Sequence, residues 1–129
     1  MTTEEKPSKV YDGSCQCETV KYTVKISPPI PDWEVVSCNC TICSRNGYLF
    51  VYPYFENLHF VSGQDNLRMY TYHRKWIGHY FCTTCGSSIY AKSHSEKFHP
   101  EVAAVNVRML DGVDLKSLKI QEVDKRDEW

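Results

Sequence analysis

Seven cysteines in three short clusters constrain this 129-residue chain more than any other feature. The clusters are a C-x-C pair (Cys15, Cys17), a C-x-C-x-x-C triplet (Cys38, Cys40, Cys43) and a C-x-x-C-G segment (Cys82, Cys85). An odd number of cysteines leaves one thiol over in any set of disulfides, and such close spacing is typical of metal ligands. The pattern therefore favours metal ligation over disulfides or ordinary buried thiols.

The composition excludes several classes of protein. The chain is 42% hydrophobic with a formal net charge of −1, so it has no basic excess to attract nucleic acid. No apolar run approaches the roughly 18–20 residues of a membrane helix, and the polar segment 1–9 lacks the apolar core of a signal peptide. We therefore expect a cytoplasmic or nuclear protein without membrane contact, in a reducing compartment that disfavours disulfides.

Short apolar segments separated by turn signals predict an all-β fold. Val20, Tyr22, Val24 and Ile26 alternate with polar residues, which is typical of a half-buried strand. The predicted strands are Glu18–Ile26, Trp33–Ser37, Tyr48–Tyr54, Leu58–Ser62, Leu67–Tyr72, Trp76–Phe81, Ser87–Ala91 and Val102–Met109, with a helical turn over Leu115–Leu118. Many short strands favour a small zinc-stabilised sandwich or half-barrel.

The chain has the organisation of one domain with loose ends. We expect a flexible N-terminus over residues 1–9, a single zinc domain over residues 10–120 and a charged C-terminal tail over residues 121–129. Neither a Gly/Ser linker nor an internal repeat divides the central segment.

The first and last cysteine pairs together make a complete set of four thiolates: Cys15, Cys17, Cys82 and Cys85. Cysteines two apart on an extended strand point to the same face, and a C-x-x-C-G turn also brings two sulfurs together. Zinc accepts four such ligands at about 2.3 Å in closed structural sites. A site of this kind contributes on the order of 10 kcal/mol to folding.

The remaining triplet, Cys38, Cys40 and Cys43, offers a second zinc ion three ligands and leaves a fourth position free. Catalytic zinc sites keep such a position. Zinc with three thiolates carries a net charge of about −1, so it is a poor Lewis acid but suits a further thiol, which it holds as thiolate. We therefore predict two zinc ions per chain, with the triplet as the catalytic residues.

Two alternatives stay open from the spacing alone. The cysteines allow other partitions, such as the triplet together with Cys15. A histidine, for example His59, His73 or His79, would turn the triplet into a second closed and inert site.

Four motifs in order carry a family resemblance. They are G-S-C-x-C-x-x-V-x-Y (Gly13 to Tyr22), the C-x-C-x-x-C triplet, F-C-x-x-C-G (Phe81 to Gly86) and V-N-V-R-x-L-D-G (Val105 to Gly112). With these motifs the chain resembles the glutathione-dependent formaldehyde-activating enzyme family, to which centromere protein V also belongs. The resemblance covers most of the chain.

The resemblance implies a β-tent fold, structural zinc in the first and last cysteine pairs, and a second zinc at the triplet that glutathione approaches. It implies a carbon–sulfur lyase or synthase whose partners are glutathione, or a similar small thiol, and a small aldehyde, formaldehyde in the family. The product would be S-(hydroxymethyl)glutathione. The alternative function is a non-catalytic zinc-binding module for protein contacts, related to centromere protein V.

Cationic side chains are needed for the carboxylates of glutathione. Arg45, beside the triplet, is the first candidate, and Arg74, Lys75 and Arg108 are further candidates. For each of them a solvated surface charge is the alternative. The tyrosines that would line the pocket or donate a proton are Tyr48, Tyr52 and Tyr54, with a role in the core as the alternative.

Overall fold

Ten β-strands and one short α-helix make up the fold in the computed structural model, which describes residues 7–30 and 32–125. The strands are β1 Lys9–Ser14, β2 Lys21–Ile26, β3 Val35–Cys38, β4 Phe50–Val51, β5 Leu58–Ser62, β6 Leu67–Tyr70, β7 Ile77–Cys82, β8 Ser88–Ser93, β9 Ala103–Asn106 and β10 Ile120–Val123. Helix α1 spans Thr41–Asn46, and 3-10 turns occupy Phe55–Asn57, Gln64–Asn66, Val107–Met109 and Leu115–Ser117. The predicted all-β fold is confirmed. Among these residues no helix has the length and apolar character needed to cross a bilayer.

A three-stranded antiparallel sheet, in the order β1-β2-β5, contains the first cysteine pair at its hairpin turn. Strand β2 begins at Lys21, three residues later than predicted, because Glu18 adopts a positive φ of 64° in the turn. The Cys15 amide closes this turn by donating to the Val20 carbonyl at 3.1 Å. The prediction that Cys15 and Cys17 lie on an extended strand is therefore wrong, since both belong to the turn region.

A seven-stranded sheet, in the order β10-β3-β4-β9-β8-β7-β6, forms the larger layer. Strand β10 pairs in parallel with β3, which places Val123 opposite Cys38. Residues 121–123 thus belong to a strand, whereas the sequence pattern assigned them to the charged tail. The side chains of Ile120–Glu122 are exposed, and an edge strand held by backbone hydrogen bonds shows no apolar alternation.

The predicted ends of the chain are described only in part. Residues 1–6 of the predicted flexible N-terminus and residues 126–129 of the predicted tail lie outside the described residues. Lys9, the last residue of the predicted N-terminus, already begins β1.

Several strand boundaries differ from the sequence prediction. The segment Tyr48–Tyr54 contains only the two-residue strand β4, because Pro53 has no amide hydrogen to donate, although its carbonyl accepts from Ala103 at 2.9 Å. Strand β9 ends at Asn106, whose side chain accepts from the Arg108 amide and caps a 3-10 turn. Strand β5 has the predicted bounds, and the predicted helical turn is confirmed as a 3-10 turn over Leu115–Ser117.

The main core lies between the two sheets. Val24 of the small sheet and Val105 of the large sheet are fully buried in one cluster that also contains Cys82. Each fully buried valine contributes roughly 1.5–3 kcal/mol. Cys40 and Cys43 belong to a separate small cluster. The last cysteine pair is thus tied to the main core, whereas the triplet is not.

Gly63 has a structural role at the turn before residues 64–66. Its φ is +76°, and a Cβ atom there would meet the Thr19 carbonyl oxygen. We expect Gly63→Ala to destabilise the fold by about 2–4 kcal/mol in chemical denaturation, because overpacking adds to the cost of a left-handed alanine. Gly112 has the same φ with nothing within 4 Å of a Cβ, so Gly112→Ala measures the backbone cost alone, about 1–2 kcal/mol. Equal losses in both variants would contradict the steric argument.

Candidate functional site

Four cysteines meet at one end of the small sheet, and we call them the four-cysteine cluster: Cys15, Cys17, Cys82 and Cys85. Their sulfur atoms all lie within 4.8 Å of one another. The Cys15 and Cys17 sulfurs are 3.6 Å apart, and those of Cys17 and Cys82 are 3.8 Å apart. Around a tetrahedral zinc ion with bonds of about 2.3 Å, neighbouring sulfurs lie about 3.8 Å apart. The spacing fits a closed four-thiolate zinc site.

Hydrogen-bond donors point at the buried sulfurs of the four-cysteine cluster. The Val20 amide donates to Cys15 Sγ at 3.3 Å. Cys82 Sγ accepts from the Thr84 amide and from the Asn66 side chain, each at 3.4 Å. Donors of this kind stabilise the thiolate form that a metal requires.

The electrostatics of the four-cysteine cluster also suit a cation. Burial raises the pKa of Cys15 to about 11. Burial also acts to raise the pKa of Cys85, but hydrogen bonding with Ser87 and Cys17 outweighs it and lowers that pKa to about 5. Several adjacent thiolates repel one another, and a divalent cation removes that repulsion.

The second set of cysteines, the triplet Cys38, Cys40 and Cys43, lies where β3 passes into α1. Cys38 ends β3, Cys40 is the N-cap of α1, and Cys43 lies in its first turn. The Ser44 amide donates to the Cys40 carbonyl at 2.9 Å, which forms this turn and keeps the two helix cysteines near each other. The three sulfurs lie within 4.8 Å of one another.

Within residues 7–30 and 32–125, no fourth His, Cys, Asp or Glu side chain joins the triplet. His59 lies exposed on β5 of the other sheet, while His73 and His79 line a neighbouring cavity without entering the sulfur group. Cys15 belongs to the four-cysteine cluster. In the described residues the structure therefore shows neither a triplet completed by a histidine nor a triplet that shares Cys15.

The triplet sulfurs are also suited to a cation. Burial raises the pKa values of Cys38 and Cys43, and interaction with Cys40 raises that of Cys43 further. Three thiolates would not persist together at neutral pH without a compensating positive charge. Three convergent sulfur donors in a largely buried position therefore fit a zinc ion.

A cavity of about 490 Å³ opens beside the triplet, and all three cysteines line it. Most of its accessible wall is apolar. Val36, Phe50 and Ile77 line it from strands β3, β4 and β7, and Trp76 lines it from the loop before β7. A cavity of this size and character is typical of small-molecule sites.

Positive charge is concentrated at the exposed edge of this cavity. Exposed Arg74 and Lys75 line it, and no Asp or Glu of the described residues does. The Arg74 guanidinium lies 5.1 Å above the Trp76 ring, which holds it in place. Arg45, the first sequence candidate for carboxylate binding, is exposed on α1 and lines neither this cavity nor the next one described.

A second, more polar cavity of about 480 Å³ borders the triplet at Cys38 and Cys43. Arg108, another sequence candidate, lines this second cavity, and its Nε donates to the Gly47 carbonyl at 2.7 Å. The triplet is therefore reached from two sides, one mainly apolar and one polar.

The tyrosines singled out from the sequence have different positions. Tyr52 lines the apolar cavity. Tyr48 is buried and donates to Ser88 at 3.1 Å, whereas Tyr54 is 58% exposed and lies away from both cavities. Tyr72, which the sequence analysis did not propose, lines the apolar cavity. Burial and the nearby Cys40 raise its pKa.

His79 is a buried residue of the apolar cavity that sequence reasoning named only as a possible ligand. Its ring stacks between Tyr48 and Tyr72, with centroid distances of 5.8 and 6.2 Å. Burial lowers its pKa to about 4, so it is neutral at pH 7, and its Nδ1 has no hydrogen-bond partner. The period-two pattern of β7 puts Ile77 and His79 on one face of the sheet, and this pattern could have indicated that His79 lies in the cavity.

Comparison with known proteins adds two findings. The family model described as glutathione-dependent formaldehyde-activating enzyme matches residues 10–123. A crystal structure of a Rhodobacter sphaeroides protein, a structural genomics target, superposes with a TM-score of 0.72 at 28% identity and covers 85% of this chain and 99% of that one. None of the curated proteins matches this chain in sequence.

Proposed function

Because this chain belongs to the glutathione-dependent formaldehyde-activating enzyme family, we propose that it is a zinc-dependent carbon–sulfur lyase or synthase acting on glutathione adducts. The observation that carries the proposal is the triplet. Its three sulfurs converge without a fourth protein ligand in the described residues, and they open onto a cavity with a basic edge. The four-cysteine cluster holds the other proposed zinc ion and has a structural role.

In the proposed mechanism Cys38, Cys40 and Cys43 would hold a zinc ion beside the cavity. A zinc ion bound there would supply a position at which a thiol is held as thiolate. The glutathione sulfur forms a bond to the carbonyl carbon of formaldehyde, the C=O double bond becomes C–OH, and the proton lost by the thiol ends on that oxygen. Tyr52 and Tyr72 line the cavity, and in this proposal their hydroxyl groups relay that proton. The lyase direction reverses these steps, and holding both reactants together accounts for the rate gain.

The basic edge of the cavity binds the carboxylates of glutathione in this proposal. We expect Arg74→Gln to raise the KM for glutathione about 5- to 10-fold with a smaller change in kcat, because a charge-assisted hydrogen bond is lost. Arg45→Gln is the matched control and should leave KM unchanged, since Arg45 lines neither cavity. Steady-state kinetics with varied glutathione measures both, and a larger effect at Arg45 would contradict this placement.

Native mass spectrometry with and without glutathione tests the proposed function. We expect two zinc ions per chain and one additional glutathione when the thiol is present. Loss of one zinc without bound glutathione would contradict the proposal, as would the absence of glutathione-dependent turnover of both formaldehyde and larger aldehydes by the two-zinc protein.

The alternative, a non-catalytic zinc-binding module for protein contacts, has one observation in its favour. Strand β6 is at the edge of the large sheet, and its Met69 and Tyr70 are about half exposed. Edge strands with exposed apolar residues favour contacts with other chains. A protein that keeps both zinc ions but binds no thiol in the native mass spectrum would support this alternative.

A further inference from the structure

The apolar cavity beside the triplet is much larger than formaldehyde requires. At about 490 Å³ it corresponds to roughly 16 waters of liquid volume. Formaldehyde has two heavy atoms, and its adduct adds only a hydroxymethyl group to the sulfur. Such a substituent would leave most of the apolar wall in contact with water, an unfavourable arrangement that a larger apolar group removes.

The space arises from small residues in the middle of the large sheet. His79, Ala91 and Ala104 lie side by side across β7, β8 and β9, because His79 pairs with Ala91 and Ala91 pairs with Ala104. Two adjacent alanines present only methyl groups, whereas Phe50 and Ile77 on neighbouring strands carry large side chains. Ala104 lines the cavity and is partly accessible there, so the hollow is open at this point.

The cavity has different chemistry at its edge and along its wall. Exposed Arg74 and Lys75 supply positive charge, and no acidic residue of the described part lines it. The amides and carboxylates of glutathione find few hydrogen-bond partners on an apolar wall, and burying them there without partners is costly. The carboxylates of the peptide are therefore best bound at the basic edge, and the apolar wall is best covered by an apolar substituent on the sulfur.

Resting on the proposed function, we propose that the substrates are glutathione adducts whose sulfur carries an apolar group larger than hydroxymethyl. Hemithioacetals of aromatic or medium-chain aldehydes have this chemistry. In the forming direction the sulfur bonds to the aldehyde carbon, the C=O double bond becomes C–OH, and the thiol proton passes to that oxygen. The lyase direction breaks the same C–S bond, and neither direction needs an oxidant or a reductant.

Isothermal titration calorimetry of the zinc-loaded full chain with S-methylglutathione and S-hexylglutathione tests the proposal. Each buried methylene strengthens binding about fourfold, so we expect the hexyl compound to bind at least about 30-fold more tightly. Affinities within about threefold of each other would overturn the substrate class and leave the proposed function standing. If glutathione and both thioethers fail to bind, the proposed function fails as well.

A substitution at Ala104 locates the substituent. Leucine there fills part of the hollow, so we expect Ala104→Leu to reduce the hexyl-to-methyl affinity ratio to about threefold or less. Ala104→Ser adds one small atom and should keep most of the ratio. An unchanged ratio in a folded, two-zinc Ala104→Leu protein would overturn the assignment of the apolar wall. If the leucine variant fails to fold, the affinities of the two thioethers for the unmodified protein still test the proposed substrate class.

Discussion

Cys82→Ser is expected to leave the chain without a cooperative unfolding transition and without the zinc ion of the four-cysteine cluster. Cys82 is completely buried in the main core at the end of β7. Its sulfur faces that of Cys17, 65 residues earlier, so the cluster joins the two sheets. A structural zinc site contributes on the order of 10 kcal/mol, against a total stability of about 5–15 kcal/mol for a domain. Thermal denaturation followed by circular dichroism, together with zinc content per chain, measures the effect.

Cys40→Ser is the matched control for this experiment, because Cys40 is also buried and also a proposed ligand. If Cys82→Ser retains two zinc ions and unfolds within about 5 °C of the unmodified protein, the structural role of the four-cysteine cluster is refuted.

Cys40→Ser is expected to give a folded protein with one zinc ion, no glutathione binding and at least about 100-fold lower activity. Cys40 lies outside the main core cluster, so its loss does not open the contact between the sheets. Only Cys38 and Cys43 remain as ligands, and no other His, Cys, Asp or Glu of the described residues joins them. Loss of an outer-shell partner alone costs 10- to 100-fold, and loss of a direct ligand should cost at least as much.

Cys40→Ala serves as a second version of this experiment, because it removes the serine oxygen as a substitute ligand. Zinc content and calorimetry with glutathione measure both variants. Unfolding of Cys40→Ser to the same extent as Cys82→Ser would show that the two sets of cysteines do not divide structural and catalytic roles.

Strands with one buried face were predictable, whereas two of the four edge strands, β1 and β10, were not. Alternation marked Tyr22, Val24 and Ile26 because every second side chain enters the core. Strand β10 was not predicted, because the side chains of Ile120–Glu122 are exposed and show no alternation. Its backbone is held as a strand by pairing with β3. Strand β1 was missed for a related reason: only Tyr11 and Gly13 of its six residues are buried.

Residue type and short spacing identified the cysteines of the site, whereas Arg45, chosen because it is close to the triplet in sequence, lines neither cavity. Closeness in sequence was not sufficient in this case, because Arg45 is exposed on α1. Arg74 and Tyr72 reach the cavity from the loop between β6 and β7. Zinc occupancy of both cysteine sets stays a prediction.

The sequence alone determined the family, the strand-rich fold class and the two sets of cysteines of this protein. Each of these depends on residue type or on spacings of a few residues, where covalent geometry limits the distances between side chains. The tertiary structure decided what surrounds the triplet: that no histidine joins it in the described residues, and that two adjacent alanines leave an apolar hollow beside it. The residues around the triplet come from segments far apart in the chain. The two alanines become neighbours only because β8 and β9 pair in the middle of the large sheet.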